Sequence, residues 1–353
     1  MLKKDEYSIE LENIEAENDH MDSTDISNNE IVSFNASYSL PEFSNKLEEK
    51  IFYKPEFQRN SIWDNRRKSR FIESLIFAYP IPPVFLYKNP DKEQYLIIDG
   101  FQRIDTISSF LNNKFCLKNV SSSINDCNFD KLSTEYKRIL KNRQLSCVII
   151  RQVIPDKKEI LYSIFERLNT GGQNLNNMEI RRAIYYGNLI KDLECLNKNI
   201  NWRKILGKKD IHDRFLDIEL ILRLLAFSES WNDSNKCVVG YTNSIKPFLN
   251  SYTAENKDKK IDAFKRKFVE VTKQIIDELG TKPFTLYKKA NYVLLDSIMS
   301  ALIIREYPIS DLKNKKLELE KDKNFKEIYE AKQGTLSPKN VNNRIKIALD
   351  YLK

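Results

Sequence analysis

A chain of 353 residues that is 41% hydrophobic and 11% aromatic has enough apolar material for about two cored domains, which excludes wholesale disorder. Two histidines, His20 and His212, are too few for most zinc hydrolases and for HNH nucleases, and five scattered cysteines without a CxxC pair support neither a zinc ribbon nor a disulfide framework. The net charge of +8 is uneven: residues 1–30 set Lys3 and Lys4 against ten acids (−8), so residues 31–353 carry +16, a balance that attracts polyanions such as nucleic acid.

Residues 1–30 read as an acidic, disordered tail. The sequence has no run of about 18 apolar residues and no basic-then-apolar start, so a soluble, cytoplasmic protein without membrane contact is expected. The folded body starts near Ile31. Ser37 to Pro41 opens a short helix through about Glu49, and Ile51-Phe52-Tyr53 reads as a strand. Residues 66–79 place Phe71, Ile72, Leu75, Ile76 and Tyr79 at helical spacing, until Pro80, Pro82 and Pro83 stop the helix. Val84 to Tyr87 and Tyr95 to Ile98 are strands around an Asn89-Pro90-Asp91 turn. A helix follows Asp99-Gly100 at once, with Ile104, Ile107, Phe110 and Leu111 on one face, and a further strand is expected at 144–153.

From Asp156 the periodicity is mostly helical. Asp156 with Glu159, and Asn176 with Glu179, are spaced as capping boxes that open helices to about Leu168 and Tyr186. Further helices are expected at 188–198, 213–228, 258–279, 287–306 and 338–352, and a Lys/Glu-rich, solvated one at 311–333. The expected organisation is a tail (1–30), an α/β domain (31–155) and a helical domain (156–353).

Three constellations carry the candidate chemistry. In Ile97-Ile98-Asp99-Gly100-Phe101-Gln102-Arg103 a strand runs straight into a helix, where free N–H groups and the helix dipole favour an anion. Gly100 allows a sharp turn, Arg103 can grip phosphate oxygens, and Asp99 can hold a divalent cation or orient a water. The plainer alternative is an N-cap aspartate with a surface arginine. Gln58-Arg59, followed by Trp63, sits after a strand and could meet the same pocket. Phe165 to Asn169 ends a helix before Thr170-Gly171-Gly172, and Glu179, Arg181 and Arg182 follow as an expected surface salt-bridge cluster.

Taken in order, these motifs resemble the N-terminal domain of the GmrSD-type modification-dependent restriction enzymes, shared with SspE-type defence proteins, over roughly residues 35–190. The resemblance implies an α+β fold: a ParB/sulfiredoxin-like mixed α/β N-terminal domain followed by a mostly α-helical domain. It also implies nucleotide binding and hydrolysis that licenses or regulates DNA restriction. The family's motifs fall on Gln58 and Arg59, on Asp99, Gly100, Phe101, Gln102 and Arg103, and on Phe165 and Asn169. ParB relatives bind CTP and sulfiredoxin binds ATP at the corresponding strand-loop-helix.

The implied machinery is an NTP whose phosphates meet Gly100, Gln102 and Arg103, and Mg²⁺ held by Asp99. Arg59 neutralises transition-state charge, while Gln58 and Asn169 orient the nucleotide or a water. Catalysis would rest on Asp99, Gln102, Arg103 and Arg59, with Phe101 and Phe165 among the nucleotide-binding positions. Phe101 departs from the family's glutamine, so it packs inward, stacks on a base, or marks a poor hydrolase. With two histidines, the family's HNH domain is not expected in this chain, and a partner nuclease or other defence protein would cut the DNA. The alternative is a non-catalytic, nucleotide-sensing DNA-binding module. Under the hydrolysis reading Arg103 is expected to be partly exposed.

Overall fold

The computed structural model describes residues 31–54, 63–89, 92–152, 158–168, 175–242, 244–287, 289–305, 309–331 and 333–353. The tail 1–30, Gln58, Arg59 and Asn169 lie outside the described residues. The described chain divides into two compact units, one ending at Leu175 and the other beginning at Asn176. That boundary falls later than residue 155. The helix Lys158–Leu168, expected in the helical domain, packs instead on the strand Tyr95–Asp99 with Leu161, Tyr162 and Phe165 buried.

The α/β unit runs β1 (Ile31–Ser39), α1 (Leu40–Glu48), β2 (Phe52–Tyr53), α2 (Asn65–Ile76), β3 (Val84–Lys88), β4 (Tyr95–Asp99), α3 (Phe101–Leu111), α4 (Thr134–Asn142), β5 (Gln144–Gln152) and α5 (Lys158–Leu168). Five strands form one mixed sheet in the order β1-β5-β3-β4-β2. The β1–β5 and β3–β4 pairs are antiparallel, and β3–β5 and β2–β4 are parallel. Ser39 closes α1 reciprocally: its hydroxyl accepts from the Glu42 N–H, and its own N–H donates to Glu42 Oε2 at 2.7 Å.

Alternation decides which strand residues face which layer. Val84, Leu86, Ile97, Leu145, Cys147 and Ile149 meet Phe43, Phe71, Ile72, Leu75, Ile104, Ile107 and Leu140 of α1–α4 in one core. Each such side chain, fully buried, contributes about 1.5–3 kcal/mol. Strand β1 was not expected. Ser33, Asn35 and Ser37 hide it in the sequence, but all nine residues pair with β5, from Ile31 opposite Gln152 to Ser39 opposite Gln144.

The second unit is helical: α6 (Asn177–Tyr185), α7 (Asn188–Asn197), α8 (Ile200–Leu206), α9 (Leu216–Glu229), α10 (Ile245–Glu255), α11 (Asp262–Leu279), α12 (Tyr292–Ile304), α13 (Leu312–Lys321), α14 (Lys323–Tyr329) and α15 (Pro338–Tyr351). Helices α9 and α12 are apolar on nearly every side and pack on each other at the centre, as an all-round apolar helix must in water. Residues 311–333 are not one solvated helix. They form α13 and α14, and Leu312, Leu319, Phe325, Ile328 and Tyr329 are buried in the core. Their charged neighbours masked that apolar spacing. No described helix is long and apolar enough to cross a membrane. All five cysteines are free thiols.

Candidate functional site

Strands β2 and β4 run parallel, so their carboxyl ends, at Lys54 and at Asp99-Gly100, open on the same edge of the sheet. Ligands of α/β sheets gather outside such carboxyl ends. Gly100, at φ 99°, ψ 7°, is the N-cap of α3 and supplies no side-chain acceptor. Its carbonyl accepts from the N–H groups of Arg103 and Ile104 at 3.0 and 3.1 Å. An uncapped helix start of this kind presents positive potential toward the sheet edge.

Asp99 is not the N-cap, which corrects the plainer sequence alternative. Its Oδ2 instead accepts from Arg103 Nη2 at 2.5 Å. Arg103 is also not partly exposed. It is 9% exposed, and its Nη1 donates to the carbonyls of Pro82 and, at 3.2 Å, Pro83. The i,i+4 spacing of Asp99 and Arg103 turns the guanidinium back under the junction, where the proline-rich turn before β3 supplies carbonyls that have no strand partner. Burial pushes the Arg103 guanidinium below its ordinary range, and Asp99 opposes that shift. Arg103 therefore acts as a clamp that ties β4, α3 and the 82–83 turn together. Arg103→Ala should lower stability by about 1–3 kcal/mol, since Asp99 loses its partner and two carbonyls are stranded. Thermal denaturation against Arg103→Lys, which cannot fork, measures this; an unchanged midpoint for the alanine variant would refute the clamp.

Phe101 packs inward, the first of the possibilities raised by the sequence. It is buried in the core, and Lys54 Nζ lies 4.5 Å from its ring centroid. Burial pulls the Lys54 ammonium down, and Asp105 on the next turn of α3 pulls it back up. Gln102 is half-buried, and its Oε1 accepts from the Trp63 N–H at 3.3 Å. Trp63 in turn packs edge-on against Phe71 of α2. Lys54 and Trp63, the described residues on either side of 55–62, thus contact Phe101 and Gln102.

Lys54 and the Pro82-Pro83 carbonyls were missed in the sequence. The signal for Lys54 was its place at the end of a strand that pairs parallel with the Asp-Gly strand.

Phe165 is fully buried on α5, the helix packed against β4, and Asn169 follows that helix outside the described residues. The Glu-x-Arg-Arg cluster is not on the surface. Arg181 is 1% exposed and binds Glu219 Oε2 at 3.0 Å and Asn250 Oδ1 at 2.8 Å. Arg182 pairs with Glu194 and stacks on Phe215, 3.7 Å from guanidinium carbon to ring centroid. Glu179 closes the N-terminus of α6 with Asn176 and takes Arg214 Nη2 at 3.3 Å. These three residues are internal framework of the helical unit. Among the described residues, no three His, Cys, Asp or Glu side chains gather as a metal site.

The family profile described as GmrSD restriction endonuclease, N-terminal domain, matches residues 40–186. The matched span takes in every motif set out above. Residues 40–186 are a GmrSD-type N-terminal domain. The chain therefore carries a component of the restriction and defence type. The GmrSD-type span covers the α/β unit from α1 onward and then α6, so the family's domain ends with the helix that bears Arg181 and Arg182 rather than at the compact-unit boundary. A comparison with curated protein sequences finds no match.

Proposed function

We propose that this protein binds a nucleoside triphosphate at the carboxyl edge of β2 and β4, and hydrolyses it, as a component of a DNA-restricting defence system. The observation that carries this reading is the start of α3 at Gly100, without a side-chain cap, on the edge where the parallel strands β2 and β4 end. Lys54 and Trp63, the described residues that flank the Gln58-Arg59 segment in sequence, contact the first two residues of α3. In this reading the start of α3 receives phosphate oxygens. Arg59 carries the transition-state charge, and Gln58, Gln102 and Asn169 orient the nucleotide or a water. Arg103 acts indirectly, by positioning Asp99.

Mg²⁺ that arrives with a nucleotide needs only one or two carboxylates from the protein. Asp99 fits that need: Oδ2 is held by Arg103, and Oδ1 takes no hydrogen bond among the described residues. Bound there, the ion would neutralise phosphate charge. DNA and a partner nuclease complete the proposed system.

Phosphate release from ATP, GTP, CTP and UTP with Mg²⁺, with and without DNA, tests the proposal. Arg59→Ala should lower turnover by about 10³-fold or more without shifting the melting temperature. A second reading, a nucleotide sensor without turnover, is favoured by Phe101, whose buried ring stands where the family has an amide. Arg59-dependent binding without phosphate release would select it. Failure to bind any of the four nucleotides would overturn both.

A further inference from the structure

We infer that the N-terminal turn of α2, with the solvent face of α4, is a phosphate-contacting surface for duplex DNA. The inference takes its partner from the restriction-system reading and does not depend on nucleotide binding.

The chain uses its arginines in two different ways. It has 17 arginines against 41 lysines. Many of the arginines are internal, paired with carboxylates: Arg103, Arg181, Arg182, Arg203, Arg223 and Arg344. Along α2 the pattern reverses. Arg66, Arg67 and Arg70 fall within five residues, and all three are exposed. Among the described residues, Arg66 and Arg70 make no ion pair. The acids beside them are already engaged: Asp64 accepts the Arg67 N–H at 2.7 Å, and Glu73 accepts the Ser121 N–H at 2.7 Å.

Helix α4 packs beside α2 on the same face of the sheet and adds Arg138 and Lys141, both exposed and also without an ion pair among the described residues. Guanidinium groups without a counter-charge repel one another. Their planar forks suit phosphate oxygens better than lysine does. At i,i+4, Arg66 and Arg70 stand about 5–6 Å apart at Cβ, side by side along the helix. Duplex DNA presents a dense row of phosphates to such a pair.

The position of this surface is specific as well. The Arg67 guanidinium lies 5.2 Å from the Trp63 ring centroid, and the Trp63 N–H donates to Gln102. The basic turn therefore begins immediately beside the junction of β4 and α3. A merely solvated face would have no reason to carry arginine there in a lysine-rich chain.

The test is the salt dependence of duplex-DNA binding by the full chain, compared with Arg66→Gln/Arg70→Gln and with a charge-matched control in the helical unit, Lys313→Gln/Lys339→Gln. Loss of two phosphate contacts should flatten the slope of log K against log salt by about 1.8 and weaken binding roughly tenfold or more, at unchanged melting temperature. The control should move neither quantity appreciably. The inference is overturned if the arginine variant behaves like the control, if the wild-type chain does not bind duplex DNA, or if only RNA binding falls.

Discussion

Replacing Glu219 with alanine should destabilise the helical unit by about 3–5 kcal/mol, the usual result of removing one partner from a buried ion pair. Glu219 is 3% exposed and sits between two guanidinium groups: Arg181 Nη1 reaches Oε2 at 3.0 Å, and Arg223 Nη2 reaches Oε1 at 2.6 Å. Arg223 is one helical turn along from Glu219 on α9, while Arg181 comes from α6. The single carboxylate is therefore shared by two buried cations and joins two helices. Alanine leaves both cations desolvated without a counter-charge.

Chemical denaturation followed by tryptophan emission, to which Trp202 and Trp231 of this unit contribute, measures the loss. A second variant separates charge from packing. Replacing Arg181, Glu219 and Arg223 together by methionine should recover most of the stability, since apolar groups of similar volume often match a buried triad. A small effect of Glu219→Ala alone would mean that water reaches the triad.

Gly100→Ala should cost about 2–4 kcal/mol and abolish nucleotide binding at the proposed site. Two physical causes add. At φ 99° an L side chain is strained, which costs about 1–2 kcal/mol. A Cβ there would also stand 2.9 Å from Val84 Cγ2 and 3.1 Å from Arg103 Nη2. Val84 is a fully buried β-branched residue of the central strand β3, so it cannot yield cheaply. Any shift of α3 away from it would pull Arg103 off Asp99.

Gly240→Ala is the matched control. That residue also has positive φ, at 79°, but a Cβ there meets nothing within 4 Å. It should show the backbone cost alone. Equal losses for the two variants, read by thermal denaturation and nucleotide titration, would remove the argument from close packing.

The sequence by itself determined most of the element order. Pro80, Pro82 and Pro83 end α2, the Asn176–Glu179 box starts α6, and short apolar runs on either side of a turn mark β3 and β4, because capping, turns and apolar runs are local properties of neighbouring residues. It also placed the candidate site at the Asp99-Gly100 junction, since a glycine between a strand and a helix has few other uses. Strand β1 escaped because its polar residues conceal a pairing with β5 more than a hundred residues away.

Tertiary structure decided which charges are chemical and which are structural. Arg103 and Arg181 look like surface cations in one dimension, yet each is buried against a carboxylate. Arg66 and Arg70, with the same composition around them, remain outside. Burial and counter-ion depend on which helix or turn lies across from a side chain, and sequence spacing carries no information about that.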